Sequence, residues 1–405
     1  MIEGKIHPDF WPVARVFRSL LPKRQPGGAA LCIYHRGERV IDIWAGTRDE
    51  DGNPWEPDTL SVSYSTTKGI ASTLMHMLVD RGEADYDDPV CKHWPDFADG
   101  DKQRITIRQI MCHEAGLYDI RSMVDHADRM LDWDYMTRAL ETARPCHAPG
   151  SAHGYHGFTY GWLIGELIQR ITGKSFSRVL EDELAGPLGL DGLYVGLPPE
   201  QRHRRAQLIL AGIQRSKAGS DRFRGYLDRM GSVLQTMRVP FDPDQVAAAL
   251  MPEGIEDVDF NSDEFQQATI PSANGMFSAS SLARVYAALA AGGEIDGVRL
   301  MSRGTIETAS KRQNKGIGRV IPFPMHWRLG YHRPFTMAGG IPSGFGHFGF
   351  GGSGAWADLR RNVSVALVLN SGVGTPFGDT RIVRISSAVL RCADRRASKR
   401  RFAWG

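Results

Sequence analysis

Apolar residues alternate or cluster near both ends of the chain in patterns typical of strands. Residues 29–34 form an apolar run, and after a polar turn residues 39–44 alternate, which together indicate a β-hairpin. Three more strand-like runs lie at 344–350, 354–359 and 363–369, and the last, Val-Ser-Val-Ala-Leu-Val-Leu, is typical of a central strand. We therefore expect one antiparallel sheet built from both termini.

Between these strands the apolar spacing changes to three or four residues, which is typical of amphipathic helices. Four helices are predicted, at 68–80, 158–171, 279–291 and 380–390. Gly173 is expected to end the second helix and Ser278 to cap the third. Residues 195–270 are richer in charge and proline, and we interpret them as a variable surface region near the site.

Composition narrows the class of protein. The 405 residues predict about two domains or one two-part domain, and 42% hydrophobic with 23% charged residues is ordinary globular usage. The net charge of +3 is too small to indicate nucleic acid as the main partner, and the basic stretch 391–401 is interpreted as a frayed end. No signal peptide, membrane span or CxxC pair is found, so a cytoplasmic protein with five reduced cysteines is expected.

A single Ser-x-x-Lys motif, Ser65-Thr66-Thr67-Lys68, stands at the start of the first predicted helix. Three-residue spacing on a helix places both side chains on one face, with Cβ atoms about 5–6 Å apart. A serine becomes a good nucleophile when a base takes its proton, and a lysine whose pKa is lowered by burial can be that base. The backbone N–H of Ser65 can also hold an oxyanion. Taken alone, so short a motif is more often an N-cap serine and a solvated lysine.

The turn-rich loop 149–157 leads into the second predicted helix and contains Tyr155. Beside a Ser/Lys pair, a tyrosine can be a second proton carrier if a neighbouring ammonium lowers its pKa from about 10. Without Ser65, a buried tyrosine with a hydrogen-bonded hydroxyl would be the better interpretation. No metal-ligand spacing is formed by the loop's histidines, so neither a metal nor another cofactor is expected; they are His147, His153 and His156.

The stretch 344–354 is rich in glycine and leads into predicted strands. Glycine in a strand marks the close approach of another group to the backbone, which here would be substrate. His347 is expected to present a polar or positive group to the site, and the N–H of Phe350 to be a second oxyanion donor beside that of Ser65. The plainer alternative is a glycine-rich hairpin loop with an exposed His347.

These groups, in this order, resemble the penicillin-recognising serine enzymes, and most closely the class C β-lactamase-like esterases called family VIII carboxylesterases. Two further phrases look like signposts of that family, namely Met111-Cys112-His113-Glu114-Ala115-Gly116-Leu117 and Pro271-Ser272-Ala273-Asn274-Gly275. The resemblance covers roughly residues 25–390. It implies an α/β fold of the serine β-lactamase/DD-peptidase type, in which an antiparallel sheet flanked by helices joins an all-helical domain. We expect the α/β domain at 1–62 and 272–405, the mainly helical domain at 63–271, and the site between them.

Carried over position by position, the resemblance implies that Ser65 is the acylated nucleophile and that Lys68 and Tyr155 are its catalytic partners. The expected mechanism is acyl transfer, in which Lys68 and Tyr155 remove the Ser65 proton and Tyr155 then protonates the leaving alcohol.

Substrate contacts are expected from His347, Phe348 and Gly349, which stand where the family has a Lys-Thr-Gly strand motif, and from Gly157. The position that is asparagine in the β-lactamases is Gly157 here, and His347 replaces the lysine. Both departures put β-lactam hydrolysis in doubt while leaving acyl transfer intact.

The predicted function is therefore a carboxylesterase acting on a small-molecule ester. Three alternatives stay open: an acyltransferase using the same site, an amide or weak β-lactam hydrolase, and a non-catalytic binding module with this fold. The sequence does not indicate the natural substrate or the oligomeric state.

Overall fold

A sheet built from both ends of the chain forms the largest layer of the fold. The computed structural model describes residues 1–210, 242–372 and 379–402, with the isolated positions 225 and 229. Numbered along the chain, its strands are β1 (Glu3–Ile6), β2 (Gly28–His35), β3 (Glu38–Gly46), β4 (Ser61–Val62), β5 (Leu193–Tyr194), β6 (Ile209–Leu210), β7 (Met276–Phe277), β8 (Glu294–Ile295), β9 (Val298–Arg299), β10 (Phe335–Thr336), β11 (Gly339–Gly340), β12 (Gly344–Phe348), β13 (Gly354–Asp358), β14 (Val363–Leu369) and β15 (Ser371–Gly372).

The main sheet is antiparallel and has the strand order β1-β3-β2-β14-β13-β12. The N-terminal hairpin joins the C-terminal strands where β2 pairs with β14, with Cys32 opposite Ala366. The expected sheet from both termini is thus confirmed. Strand β1, which pairs with β3, was not predicted, because this short edge strand has mostly exposed side chains and no alternating pattern.

Both faces of the sheet are buried, because alternate side chains of β2 enter different cores. Leu31 and Ile33 pack in a core with the first and last helices of the chain. Cys32 and Tyr34 belong to the larger core, which extends into the helical part of the molecule. Continuous burial on both sides explains the unbroken apolar runs of the central strands.

Helices surround the sheet and fill the middle of the chain. The described α-helices are α1 (Trp11–Leu20), α2 (Thr66–Asp80), α3 (Ile107–Met111), α4 (Trp133–Thr142), α5 (Tyr160–Thr172), α6 (Phe176–Val179), α7 (Gly186–Leu188), α8 (Pro243–Leu250), α9 (Asp263–Gln267), α10 (Ala279–Ala290), α11 (Arg303–Ala309) and α12 (Arg381–Phe402). Three predicted helices correspond to α2, α5 and α10. As predicted, Gly173 ends α5 with φ +68°, and the Ser278 side chain accepts the Ser281 N–H at the start of α10.

The last helix is longer than predicted. Helix α12 continues past residue 390 to Phe402, so the interpretation of the basic stretch as a frayed end is wrong for the part of it that the structure describes. Arg396 is only 6% exposed, and its guanidinium contacts the carboxylates of Glu38 and Asp9. These contacts of a buried guanidinium with partly exposed carboxylates link the helix to the N-terminal part of the chain.

A small three-stranded sheet lies beside the main one and leads to the predicted nucleophile. Strand β7 pairs with both β4 and β5, so that Phe277 lies opposite Ser61 on one side and Leu193 on the other. The chain then passes from β4 through a short turn into α2. Segments from the N-terminal, helical and C-terminal parts of the sequence therefore meet immediately before Ser65.

The predicted variable region 195–270 contains β6, α8 and α9. Its positions 211–241, apart from 225 and 229, lie outside the described residues. The proposed domain boundaries stay a prediction.

Two features bear on the cellular setting. The five cysteines are all free thiols in this structure. Within the described ranges of the chain, no helix combines the length and the apolar character needed to cross a membrane.

Candidate active site

A strained turn places Ser65 at the start of α2. Tyr64 has a positive φ of +45°, which a non-glycine residue adopts only when its surroundings impose it. The Thr67 hydroxyl donates to the Tyr64 carbonyl at 2.6 Å and accepts the Gly275 N–H at 2.9 Å. These contacts fix the turn, and with it Ser65, against the segment after α9.

Lys68 lies one helical turn after Ser65 and is fully buried. Its Nζ donates to the carbonyls of Gly157 at 2.6 Å and Ser272 at 2.9 Å, and lies 3.1 Å from the Ser65 Oγ. Burial lowers the pKa of Lys68 well below 10.5, because the charged form is desolvated. A neutral amine has two hydrogens, which the two carbonyls accept, so its lone pair is directed at the Ser65 hydroxyl. Lys68 is therefore arranged as a general base.

Tyr155 approaches Ser65 from another direction. Its hydroxyl donates to the Ser65 Oγ at 2.7 Å, and its ring stacks on Trp327 at 5.3 Å with only 7° between the planes. Burial raises the pKa of Tyr155 above its usual value. The expected fall in this pKa is therefore not found. Tyr155 remains a phenol that donates a hydrogen bond, which suits it to protonate a leaving group and not to remove the serine proton.

A buried histidine pair packs behind Tyr155. The Leu117 N–H donates to Nε2 of His156 at 3.1 Å, which leaves the proton on Nδ1, where it is donated to Nδ1 of His113 at 3.2 Å. Burial lowers the pKa of both histidines, that of His156 to about 3. The His113 ring lies edge-on to Tyr155 at 5.0 Å. Within residues 1–210, 242–372 and 379–402, no group of His, Cys, Asp and Glu side chains is arranged to hold a metal ion.

The glycine-rich strand β12 ends beside the nucleophile, and His347 lies on it. His347 is 2% exposed, and burial lowers its pKa well below 6.5. Its Nδ1 donates to the Phe348 carbonyl at 3.0 Å, so Nε2 carries a lone pair and has no hydrogen-bond partner among the described residues. The exposed-loop alternative is thus wrong, and His347 presents a neutral polar group in place of a positive one.

The backbone around Phe348 and Gly349 is held close to the nucleophile turn. The Phe348 N–H donates to Nε2 of His332 at 2.9 Å. A Cβ at position 349 would lie 2.3 Å from the Ser63 carbonyl oxygen, so only glycine allows this approach.

Two backbone N–H groups remain available for an oxyanion. Within the described ranges, neither Ser65 nor Phe350 uses its N–H in a hydrogen bond. Both residues line the same cavity and are partly exposed. The predicted oxyanion pair is compatible with this geometry and stays a prediction.

Ser65 opens into a cavity of about 320 Å³. Apart from the catalytic groups, its walls are mainly apolar, and they come from α8 and the segment after it, from residues 321–335, and from the end of β12. The apolar lining includes Leu250, Met251, Ile255, Phe260, Ile321, Phe323, Met325, Trp327, Phe335 and Phe348. A cavity of this kind favours an uncharged substrate with hydrocarbon groups.

The structure brings together Ser65, Lys68, Tyr155, His347 and Phe350, which the sequence placed on three distant segments. Several residues that support this site were not assigned a role from the sequence. Ser272 accepts from Lys68 through its backbone carbonyl, a contact that does not depend on the type of side chain. His332, which accepts the Phe348 N–H, and Trp327, which stacks on Tyr155, lie in a stretch without a periodic pattern. Leu250 lines the cavity, and no pattern in the sequence indicates this, because its position depends on packing between segments.

Comparison with known proteins agrees with this architecture. The sequence model of the Beta-lactamase family matches residues 13–390. The chain belongs to the β-lactamase family. The predicted family, its fold and a serine hydrolase are confirmed.

Similar members of the family come from several sources. The protein named esterase/beta-lactamase LipL from Mycobacterium tuberculosis is 36% identical over 371 residues, which is 91% of this chain and 82% of the relative. The structure of a penicillin-binding protein homologue from Caulobacter crescentus is 33% identical in sequence and has a TM-score of 0.83. The superposition covers 97% of this chain and 100% of that one. A family VIII carboxylesterase is 31% identical with the same TM-score and the same coverage.

Proposed function

We propose that this chain is a carboxylesterase that cleaves short- to medium-chain esters through an acyl-Ser65 intermediate. The observation that carries the proposal is the position of the Ser65 Oγ, 3.1 Å from Lys68 Nζ and 2.7 Å from the Tyr155 hydroxyl. The apolar cavity around it and relatives named as esterases support the same conclusion.

Acylation begins when the Ser65 Oγ bonds to the ester carbonyl carbon and its proton passes to the lone pair of Lys68. Negative charge develops on the carbonyl oxygen, where the N–H groups of Ser65 and Phe350 stabilise it. The carbon–oxygen bond to the alcohol then breaks, and Tyr155 gives its proton to the leaving alkoxide. The Lys68 ammonium returns a proton to Tyr155, so that both groups end neutral.

Deacylation uses the same groups in the reverse direction. Water occupies the place of the departed alcohol, and as it attacks the acyl carbon its proton passes to Tyr155 while Tyr155 passes its own proton to the Lys68 amine. The bond from the acyl carbon to the Ser65 Oγ then breaks, and the Lys68 ammonium returns a proton to Oγ, which frees the carboxylic acid and restores all three groups. An alcohol in the place of water would give the acyltransferase alternative, and adding an alcohol to the assay distinguishes the two by product.

Removal of the nucleophile tests the proposal. Wild type is expected to turn over p-nitrophenyl butyrate, and Ser65→Ala to lose more than about 10³-fold in kcat, since covalent catalysis is lost. Ser151→Ala is the matched control, because Ser151 is an exposed serine on the Tyr155 loop and should keep full activity. A fluorophosphonate should add mass to wild type and to Ser151→Ala but not to Ser65→Ala. Retained turnover in Ser65→Ala would show that the nucleophile lies elsewhere.

A further inference from the structure

The turn that follows β12 carries the second predicted oxyanion donor. Phe350 is its first residue, and Gly351 and Gly352 continue it with φ of +85° and +104°. Glycine adopts these conformations without strain, but it is also the residue whose backbone is least restricted in the unfolded chain. The position of the Phe350 N–H therefore depends on contacts that hold the turn from outside.

The two ends of the turn are held near the nucleophile. The Phe350 ring lies edge-on to the ring of Tyr64, with the ring centroids 5.4 Å apart. The Gly349 N–H donates to the Ser353 carbonyl at 2.7 Å, which closes the turn. These contacts fix the ends of the turn and leave its middle to another group.

Arg381 holds the middle of the turn. Gly351 is buried, and its carbonyl accepts from Arg381 Nη2 at 2.8 Å. The same guanidinium donates to the Ser371 carbonyl on β15 and to the carboxylate of Asp379. Because Arg381 is the first residue of α12, its side chain joins the turn to the end of β15 and to the start of that helix.

Asp379 determines the direction of this side chain. The Asp379 side chain is 5% exposed, and its carboxylate accepts from the backbone N–H and from Nε of Arg381, both at 3.0 Å. A Cβ at Gly352 would lie 2.4 Å from the carboxyl carbon of Asp379, so the turn also packs directly against this ion pair. A guanidinium is planar and donates in a fixed fork, so its three partners together fix its orientation.

Arg381 acts on the reaction through the turn and not by touching the substrate. Among the described residues, the lining of the cavity at Ser65 includes Phe350 and Asp379 but not Arg381. Without the guanidinium, the buried Gly351 carbonyl loses this donor, which costs free energy unless the turn moves and the carbonyl reaches water. Such a movement displaces the adjacent Phe350 N–H.

We propose that Arg381 is a positioning residue that holds the turn 350–352 and thereby keeps the Phe350 N–H directed at the carbonyl oxygen of the substrate. Negative charge on this oxygen grows in the transition state, so a displaced donor slows the reaction more than it weakens binding of the ester. This inference rests on the proposed esterase activity at Ser65 and on the predicted oxyanion pair, and it deepens both.

A pair of substrates that differ in one atom measures the oxyanion contact. They are p-nitrophenyl butyrate and the corresponding thionoester, in which sulfur replaces the carbonyl oxygen. Sulfur is larger and a weaker hydrogen-bond acceptor, so the two N–H groups stabilise its negative charge poorly. After subtraction of spontaneous hydrolysis, wild type is expected to favour the oxygen ester by about 100-fold or more in kcat/KM.

Arg381→Met removes the guanidinium and keeps an unbranched side chain. It should lower kcat/KM for p-nitrophenyl butyrate by about 10- to 100-fold and reduce the preference for the oxygen ester by about tenfold, because one of two donors is displaced. Arg384→Met is the matched control, since Arg384 is an exposed arginine one turn later on α12, and it should behave as wild type. Rates are referred to the amount of enzyme that a fluorophosphonate labels, so unfolded molecules are not counted.

Arg381→Lys provides the decision if Arg381→Met does not fold. Lysine keeps the positive charge beside Asp379, but an ammonium lacks the fork that reaches all three partners, so the preference for the oxygen ester should still fall by about threefold. An unchanged preference in Arg381→Lys would then refute the role of Arg381.

The remaining outcomes separate the proposals from one another. If wild type hydrolyses neither ester, the esterase proposal itself fails. If wild type hydrolyses both esters equally well, the oxyanion pair is wrong, and the role of Arg381 fails with it. If Arg381→Met slows both esters by the same factor, changes neither rate, or matches Arg384→Met, then Arg381 does not position the Phe350 N–H.

Discussion

The protonation state of Lys68 can be tested by replacing it with methionine. Methionine has a similar length and fills the buried site, but it does not titrate and cannot take the Ser65 proton. We expect Lys68→Met to lower kcat/KM for p-nitrophenyl butyrate by about 10²–10⁴-fold, the range for loss of a general base. Lys68→Arg should be equally inactive, since a guanidinium stays protonated at all accessible pH values.

The same substitution predicts a pH-dependent change in stability. Lys68 is neutral in the folded protein over the interval between its lowered pKa and 10.5, whereas in the unfolded chain it is protonated there. The unfolded chain then binds one more proton, so the free energy of unfolding rises with pH by about 1.4 kcal/mol per pH unit within that interval. Lys68→Met lacks this contribution. The Gly157 and Ser272 carbonyls lose their donor in the variant, but this loss does not depend on pH.

Urea unfolding of wild type and Lys68→Met at pH 7, 8 and 9 measures the effect. The difference in free energy of unfolding, wild type minus variant, should increase with pH at close to the stated slope, because the histidines that Lys68 influences have a pKa lowered by burial and are neutral in both proteins over this range. Esterase activity of wild type should rise with pH through the same lowered pKa and then level off. A difference that stays flat from pH 7 to pH 9 would mean that Lys68 keeps an ordinary pKa, and the general-base assignment would be refuted.

Three further substitutions have defined outcomes. Tyr155→Phe should lower kcat/KM for an alkyl ester such as ethyl butyrate, whose alkoxide must be protonated as it leaves, by about 100-fold without changing the thermal midpoint, and near-normal activity on this ester would exclude its role as the acid. Trp327→Ala should cost about 3–5 kcal/mol in urea unfolding, since it removes a side chain that is 2% exposed and stacks on Tyr155; a loss below about 1 kcal/mol would contradict this packing. Arg396→Ala should cost about 2 kcal/mol by the same measurement, while the exposed neighbour in Arg395→Ala should change stability by less than about 0.5 kcal/mol. Equal effects of the two arginine substitutions would show that the contacts of Arg396 with Glu38 and Asp9 do not stabilise the fold.

The regular elements could be predicted where one face or both faces of an element are uniformly apolar. Strand β14 and helix α10 appear at nearly their predicted bounds, because burial determines their sequences position by position. The prediction of secondary structure was poorer in segments rich in charged residues. The basic stretch after residue 390 is helical, and Arg396 on it forms ion pairs with Glu38 on β3 and with Asp9 near the N-terminus. These partners are distant in the sequence, so no local pattern predicts the contacts.

Part of the candidate site could also be predicted from short sequence motifs. Ser65 and Lys68 are joined by helical spacing, and the glycines around His347 indicate a strand that something approaches closely. The protonation states of these groups could not be predicted from the sequence. Desolvation shifts the pKa of Lys68, Tyr155 and His347. The extent of desolvation depends on the packing around each side chain, so it cannot be read from the residue type.

The sequence by itself thus predicted the family, the antiparallel sheet and the residues that meet at Ser65, because each strand and each motif is a pattern within its own short segment and the order of the segments completes the picture. Tertiary structure alone decided that the buried Lys68 amine donates to two backbone carbonyls, that the Tyr155 hydroxyl donates to Ser65, and that Leu250 fills the space beside Gly157. These properties arise from contacts between segments far apart in the chain, where carbonyl oxygens, ring stacking and excluded volume have no signature in the order of the amino acids.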